Sequence, residues 1–339
     1  MAQLKQNVPL KPYNTFGLEA NARFWLEIRD ENTAIEFVTD NLHAEDPLLI
    51  LGGGSNILLT ADFEGVVLYN QILGKEIVAE DETHVWVKAG AGENWHQFVL
   101  FCIENGWGGI ENLSLIPGSV GASPIQNIGA YGVEIKDVMD HLEALHIATG
   151  KIVRFSGEAC RFGYRDSIFK QECRGEYMIT RVVFRLNKNP KINTAYGAIE
   201  EELAQIPGPH GIREVSDAVI RIRQSKLPDP AVTGNAGSFF KNPVISAELF
   251  ANIQAKFPQV PSYPSENGQV KIPAAWLIQT CGWKGYREGE FGVHPNQALV
   301  LVNYGEAKGS DILALSDRIM ADVLSRFGII LEREVNVVP

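Results

Sequence analysis

Apolar positions along the chain switch between two periods. Ala22–Arg29 alternates loosely and ends at an Asp-Glu-Asn turn, Leu48–Leu51 is a short apolar strand, and Val66–Tyr69 and Val85–Val87 continue the strand pattern. Between them, Ala34, Ile35, Val38 and Leu42 recur at helical spacing and predict a helix over Asn32–Leu42. A second helix is predicted over Asn94–Asn105, stopped by Gly106. Asp140–Ala148 and Tyr177–Leu186 alternate as strands. Pro207-Gly208-Pro209-His210-Gly211 is the strongest boundary signal, because proline and glycine both interrupt regular structure. Beyond it, helices are predicted over Val215–Arg223, Ala247–Phe257, Ala274–Cys281 and Asp311–Phe327. The last carries an apolar stripe at Ile312, Leu315, Ile319 and Val323, with Ser310 as its N-cap and Gly328 as its stop. A terminal strand is predicted from Ile329 to Val338. The pattern is α+β, with a larger region before residue 206 and a smaller one after it.

Composition narrows what such a chain does. At 339 residues, 45% hydrophobic and 21% charged, it has the mass for about two globular domains. No apolar run approaches the ~20 residues of a membrane span, and the N-terminus lacks a signal-peptide stretch, so a cytoplasmic protein is expected. Net charge is 30 − 41 = −11, which argues against a nucleic-acid binder but leaves room for a locally basic site. Cys102, Cys160, Cys173 and Cys281 fit no zinc or CxxC spacing and read as reduced thiols. No metal site is expected.

Several familiar sites are missing from the sequence: there is no GxGxxG after a strand, no GxxxxGK[ST], no HExxH and no GxSxG. What remains is two glycine-rich loops. Gly52-Gly53-Gly54-Ser55-Asn56 follows an apolar strand; its glycines allow close backbone approach and its N–H groups suit phosphate oxygens. A tight turn without a ligand explains it about equally well. The second, Ile116–Gly132, sets four glycines and two prolines among small and apolar residues, with Gln126 and Asn127 as its only amide side chains. Such a loop can wrap a pyrophosphate and wall a flat ring. Arg161-Phe162-Gly163-Tyr164-Arg165-Asp166-Ser167 clusters two arginines, a tyrosine and an aspartate around a glycine. In Gly237-Ser238-Phe239-Phe240-Lys241-Asn242, a serine borders two aromatics suited to the core.

Taken in order, Tyr13-Asn14-Thr15-Phe16-Gly17, Gly52–Asn56, Ile116-Pro117-Gly118-Ser119-Val120-Gly121, Gln126–Gly132, Phe162–Ser167 and Gly237–Pro243 make six ordered motifs over nearly the whole chain. In this the chain resembles the UDP-N-acetylenolpyruvoylglucosamine reductase (MurB) family, in its subgroup with a tyrosine-bearing loop. The resemblance implies a two-lobed FAD-binding unit of the vanillyl-alcohol-oxidase (PCMH) type, with lobes over 1–73 and 74–206. It implies a substrate-binding domain over 207–328 and a C-terminal strand, 329–339, carrying a catalytic glutamate. It also implies noncovalent FAD, NADPH as reductant, and reduction of an enolpyruvyl ether of UDP-N-acetylglucosamine to UDP-N-acetylmuramate, without an obligate protein partner.

Site roles follow from the same resemblance. Arg165, Ser238 and Glu334 match the catalytic positions, Ser238 as proton donor and Glu334 as catalytic acid. Gly52, Gly53, Gly54, Ser55 and Asn56 match the flavin side, as do Ile116, Pro117, Gly118, Ser119, Gly121 and Ala122, then Ile125, Gln126, Asn127, Ile128 and Gly129, and Arg223. Tyr164, Tyr196, Lys226, Asn242, Tyr263, Lys284 and Gln297 match positions for substrate or NADPH. An ionised Glu334 would repel a substrate carboxylate, so it is expected protonated or paired with a cation. Arg333, standing where many relatives have proline, adds a charge near the proposed acid, and the sequence leaves its effect on the Glu334 pKa open. Gly53, where some relatives carry an acid, is expected to matter little. Another FAD-dependent alcohol or sugar oxidase on the same fold would keep the glycine loops without needing the Gly-Ser-Phe-Phe and Leu-Glu-x-Glu motifs. A non-catalytic nucleotide-sugar binder would be flavin-free.

Overall fold

The computed structural model describes residues 3–42 and 47–339. The chain forms two compact units. One comprises residues up to Val8, Ala22–Gly54 and Glu64–Ser225; the other comprises Pro9–Asn21, Ser55–Phe63 and Lys226–Pro339.

The first unit holds two sheets. In one, the strand order is Lys5–Pro9, Asn21–Ile28, Phe63–Asn70, Leu48–Leu51, and the last two run parallel with Leu48 opposite Val66. Helix α1 (Glu31–Asp40) covers it. Asp30 caps this helix by accepting the Thr33 N–H at 2.9 Å, and Ala34, Phe37 and Val38 face the sheet's core with Leu26, Ile28, Val66 and Leu68. The other sheet is wholly antiparallel, in the order Lys151–Ser156, Met139–His146, Tyr177–Asn187, His84–Gly90, Lys75–Glu80. Helix α2 (Trp95–Glu104), capped by Asn94, lays Trp95 and Phe98 against Phe184 at ring separations of 5.8 and 4.9 Å.

Helices α3 (Gly197–Leu203) and α4 (Ile212–Lys226) complete this unit. The boundary expected near residue 207 falls at Ser225/Lys226 instead. The physical reason is the apolar face of α4: Val215, Ala218, Val219 and Ile222 bury against Ile199 and Leu203 of α3. The Pro-Gly-Pro-His-Gly stretch is therefore a loop between two helices of one unit.

The second unit carries an antiparallel sheet in the order Gly234–Ser238, Val300–Asn303, Phe291–Val293, Arg287–Glu288. A three-stranded sheet joins Val244–Ile245, Val270–Lys271 and Tyr263–Pro264. Helices α5 (Ala247–Lys256), α6 (Ala274–Thr280) and α7 (Gly309–Phe327) pack on one core, where Ile312, Leu315, Ile319 and Val323 form the buried stripe of α7. Gly328 ends α7 in the left-handed conformation, at φ 68°. The start of α7 differs from expectation. Lys308 holds the cap position without a side-chain cap, and Ser310 lies inside the helix. Gly309 explains this, since a Cβ there would collide with the Leu59 carbonyl; only glycine lets the first turn abut Ile57–Leu59. The predicted terminal strand shortens to Asn336–Val338, which pairs parallel with Ile57–Leu59.

Candidate active site

The two glycine loops meet in the first unit. A Cβ on Gly52 would run into the Ser119 hydroxyl, and one on Gly53 would lie 2.8 Å from the Gly118 Cα. Glycine is thus required where the loops pass backbone to backbone. In the second loop many N–H groups are engaged within the protein. Val120 N–H donates to Glu93 O and Gly121 N–H to Ala91 O, each at 2.9 Å, while those of Ala122, Ile125, Asn127 and Ile128 donate to carbonyls of the loop itself. These N–H groups are therefore spent on carbonyls of the protein itself.

Asn127 is likewise a builder. It is fully buried at φ 45°; its Nδ2 donates to Gly163 O at 2.9 Å and Glu134 Oε2 at 3.1 Å, and its Oδ1 accepts from Lys136 N at 3.0 Å. The bond to Gly163 anchors the turn that carries Arg165. Gly163 and Asp166 face each other across that turn, leaving Tyr164 and Arg165 at its tip, Arg165 at φ 54°. A non-glycine residue in that region carries backbone strain that its surroundings must hold. They do so here: Arg165 Nη2 donates to Gly129 O at 2.5 Å, and Ser167 Oγ donates to Ile125 O at 2.6 Å.

Arg223 reaches the same region from α4. Its Nε is buried without a partner, its guanidinium meets the Tyr131 hydroxyl, and Arg165 is near enough to add repulsion. Burial first, and then Arg165, hold its pKa below the ordinary arginine value. Burial raises the Tyr131 phenol and lowers His96, the latter helped by the Arg223 charge. A buried guanidinium with an orphaned donor beside a second guanidinium is a place built for an electron-rich acceptor.

In the second unit, Ser238 and Glu334 belong to adjoining segments. The strand bulges between Asn235 and Ser238, with Gly237 at φ 68°, so that Ser238 pairs with Val300 at the strand's end, while Phe239 and Phe240 are buried in the core. The C-terminal segment runs antiparallel along this stretch. Lys241 N–H donates to Glu332 O, Phe240 bridges to Arg333, and Glu334 N–H donates to Phe239 O at 2.9 Å. Asn56 Nδ2 holds the Glu334 carbonyl at 3.2 Å. Arg333 turns elsewhere: its guanidinium pairs with Asp317, and its Nε donates to Ser316 Oγ at 2.9 Å, both on α7. Its charge thus has a carboxylate partner of its own.

Residues 229–338 match the family model described as UDP-N-acetylenolpyruvoylglucosamine reductase, C-terminal domain, and residues 23–156 match the FAD binding domain. A UDP-N-acetylenolpyruvoylglucosamine reductase from Amoebophilus asiaticus is 51% identical over 336 residues, covering 99% of both chains. One from Pseudomonas syringae pv. tomato is 50% identical over 97% of both. The chain belongs to the UDP-N-acetylenolpyruvoylglucosamine reductase family. The solved Thermus caldophilus member of this family superposes with TM-score 0.69 at 25% identity, over 100% of each chain.

Against the family's motifs, the remaining expected residues divide by what they already do. Asn242 Oδ1 accepts the Ala274 N–H at 2.9 Å and so caps α6, and Gln297 Oε1 accepts from Leu299 N at 3.3 Å. Lys226 and Lys284 are exposed, as are Tyr164, Tyr196 and Tyr263. Tyr263 pairs across its short hairpin with Lys271. Tyr131 lies within the Gln126–Gly132 motif but has no role assigned by it, and His96 and Asn112 lie outside the motifs. Tyr131 and His96 are distinguished by the Arg223 charge beside them, and Asn112 by its bonds to Tyr131 O and Asn193 O. Among the described residues, no helix is long and apolar enough to cross a membrane, and no cluster of three or more His, Cys, Asp or Glu side chains could hold a metal ion.

Proposed function

We propose that this protein reduces the enolpyruvyl ether of UDP-N-acetylglucosamine to UDP-N-acetylmuramate, using FAD and NADPH, in peptidoglycan precursor synthesis. The supporting observation is full-length family membership joined to a backbone hydrogen bond that ties Glu334 to Phe239, the neighbour of Ser238. The first unit's residues fit a flavin: two loops that only glycine permits, and a buried Arg223 with an unpartnered donor. Gly52–Gly54, the Ile116–Gly129 loop and Arg223 would hold it. When bound, FAD supplies the redox chemistry between NADPH and the vinyl group.

The chain's own residues supply the rest. As the vinyl carbon remote from the carboxylate gains hydrogen, negative charge grows on its neighbour and spreads into the carboxylate. Arg165, fixed at the tip of a strained turn, stabilises that charge without having to reorganise. The Ser238 hydroxyl gives the neighbouring carbon its proton; a weak acid suffices because the acceptor is carbanion-like and close. Glu334 acts on the same substrate as an acid or by orienting its carboxylate. Tyr196, Lys226, Asn242, Tyr263, Lys284 and Gln297 contact the nucleotide sugar or NADPH. We place the enzyme in the cytoplasm, working without an obligate protein partner.

Absorbance of the FAD-loaded protein tests the reading. NADPH should bleach the flavin band and the enolpyruvyl nucleotide sugar should restore it without oxygen. Restoration by air alone, with no response to the nucleotide sugar, would instead mark an oxidase.

A further inference from the structure

We infer that Asn112 is a positioning residue for this reaction, setting through its side-chain amide the placement of Tyr131 and Tyr196. This rests on the substrate-binding role proposed for Tyr196. Asn112 lies in the short helical turn Glu111–Leu113 and is 1% exposed. Its Nδ2 donates to Tyr131 O at 3.0 Å and to Asn193 O at 3.0 Å, tying together segments 19 and 81 residues away in sequence. Its Oδ1 is buried with no partner. Both donors are thus spent on two backbone carbonyls, and a flipped amide would set oxygen against oxygen, so the orientation is unique.

What the amide ties down is the active-site wall. Tyr131 stands at φ 50°, a conformation its own side chain disfavours, and its hydroxyl meets Arg223. Asn193 extends the link: its Oδ1 accepts from Ala195 N at 3.1 Å and its Nδ2 donates to Gly132 O at 3.3 Å. The next residue is Tyr196, which heads α3 and sets its ring edge-on to Tyr131, 5.1 Å between centroids at 89°. Tyr196 is 48% exposed, so no core fixes its ring. Its place is fixed by the backbone that Asn112 and Asn193 cross-link.

The test compares FAD-loaded Asn112→Ala, Tyr196→Ala and the double variant in steady state with NADPH and the enolpyruvyl nucleotide sugar. Asn112→Ala should raise the KM for the nucleotide sugar about tenfold while kcat stays within about threefold. The double variant should be no worse than Tyr196→Ala alone, because one change already removes what the other positions. Additive KM effects, or a loss of thermal stability with KM unchanged, would overturn the inference. If Asn112→Ala does not fold, Asn112→Asp replaces it. A protonated acid donates one bond and a carboxylate none, so its KM defect relative to wild type should shrink as pH falls, and a pH-independent defect would overturn the inference. A readout free of turnover separates this from the functional reading: backbone hydrogen exchange at 130–132 and 193–196 should rise together in the variant. Unchanged exchange there counts against Asn112 even if the wild type proves to act on another substrate.

Discussion

The Glu334 N–H donates to the Phe239 carbonyl at 2.9 Å, so a backbone hydrogen bond ties the carboxylate-bearing residue to the neighbour of Ser238. Substituting either side chain should leave this contact standing. The Ser238 hydroxyl can therefore be removed without moving its neighbours.

Ser238→Ala should leave reduction of the flavin by NADPH nearly intact. Reoxidation by the enolpyruvyl substrate should slow by at least ~10²–10⁴-fold, the contribution typical of a positioned general acid. Stopped-flow absorbance separates the two half-reactions. A variant reoxidised within about tenfold of wild type would remove Ser238 from the role of proton donor.

Gly53→Ala should weaken flavin binding while the protein still folds. A Cβ at Gly53 would lie 2.8 Å from the Gly118 Cα, and backbone cannot swing aside as a side chain can. The loops must part to admit it. Fluorescence titration of the apoprotein with FAD should show a Kd raised by about tenfold or more. Denaturing the wild type should release all its FAD into solution, as noncovalent binding requires; an unchanged Kd for Gly53→Ala would mean the loops are plastic.

His96 gives the protein an acid sensitivity whose sign follows from burial. Its Nδ1 accepts the Leu115 N–H at 3.0 Å, so the neutral ring is the one the fold uses. Burial, and then Arg223, lower its pKa from 6.5. The unfolded chain therefore protonates first as pH falls. Stability from this group is fully present above 6.5, declines as pH drops below it, and stops changing once the folded histidine also protonates. His96→Asn, which keeps an acceptor near Nδ1, should flatten that part of the pH–stability curve in urea titrations. An identical slope in the variant would assign the acid sensitivity to other groups.

How far the sequence speaks depends on what each residue answers to. The stripe Ile312, Leu315, Ile319, Val323 was legible because a helix with one buried face must repeat at that spacing. The strand Lys75–Glu80 was not, because all of its residues are exposed and it has no apolar alternation to show. The burial of Phe239 and Phe240 was legible from their place as large aromatics suited to the core. The strained conformation of Arg165 was not, since a positive φ is ordinarily announced by glycine. The unit boundary was misplaced because proline and glycine report only a local interruption, while the burial of Val215 and Val219 against Ile199 and Leu203 is long-range information. For the same reason, nothing near Asn112 in sequence reveals that it reaches Asn193.

Tyr263 offers the clearest separation of binding from chemistry. It is 58% exposed, sits between Pro261 and Pro264, and pairs through its backbone with Lys271, so no core claims its ring. The prolines restrict the loop before any ligand arrives, which lowers the entropy lost on closing. If the ring packs on the nucleotide and the hydroxyl reaches a phosphate, removing one such contact should cost ~1–3 kcal/mol, roughly five- to a hundredfold in affinity. Tyr263→Phe removes the hydroxyl alone and Tyr263→Ala removes both contacts. The KM for the nucleotide sugar should therefore rise in the order wild type, Phe, Ala. Flavin reduction by NADPH, measured without the nucleotide sugar, should barely change, since an exposed hairpin residue contributes nothing to the folded core. Equal KM values for Tyr263→Ala and wild type would make the residue an exposed loop aromatic, and a fall in flavin reduction of similar size would move its role to the NADPH step.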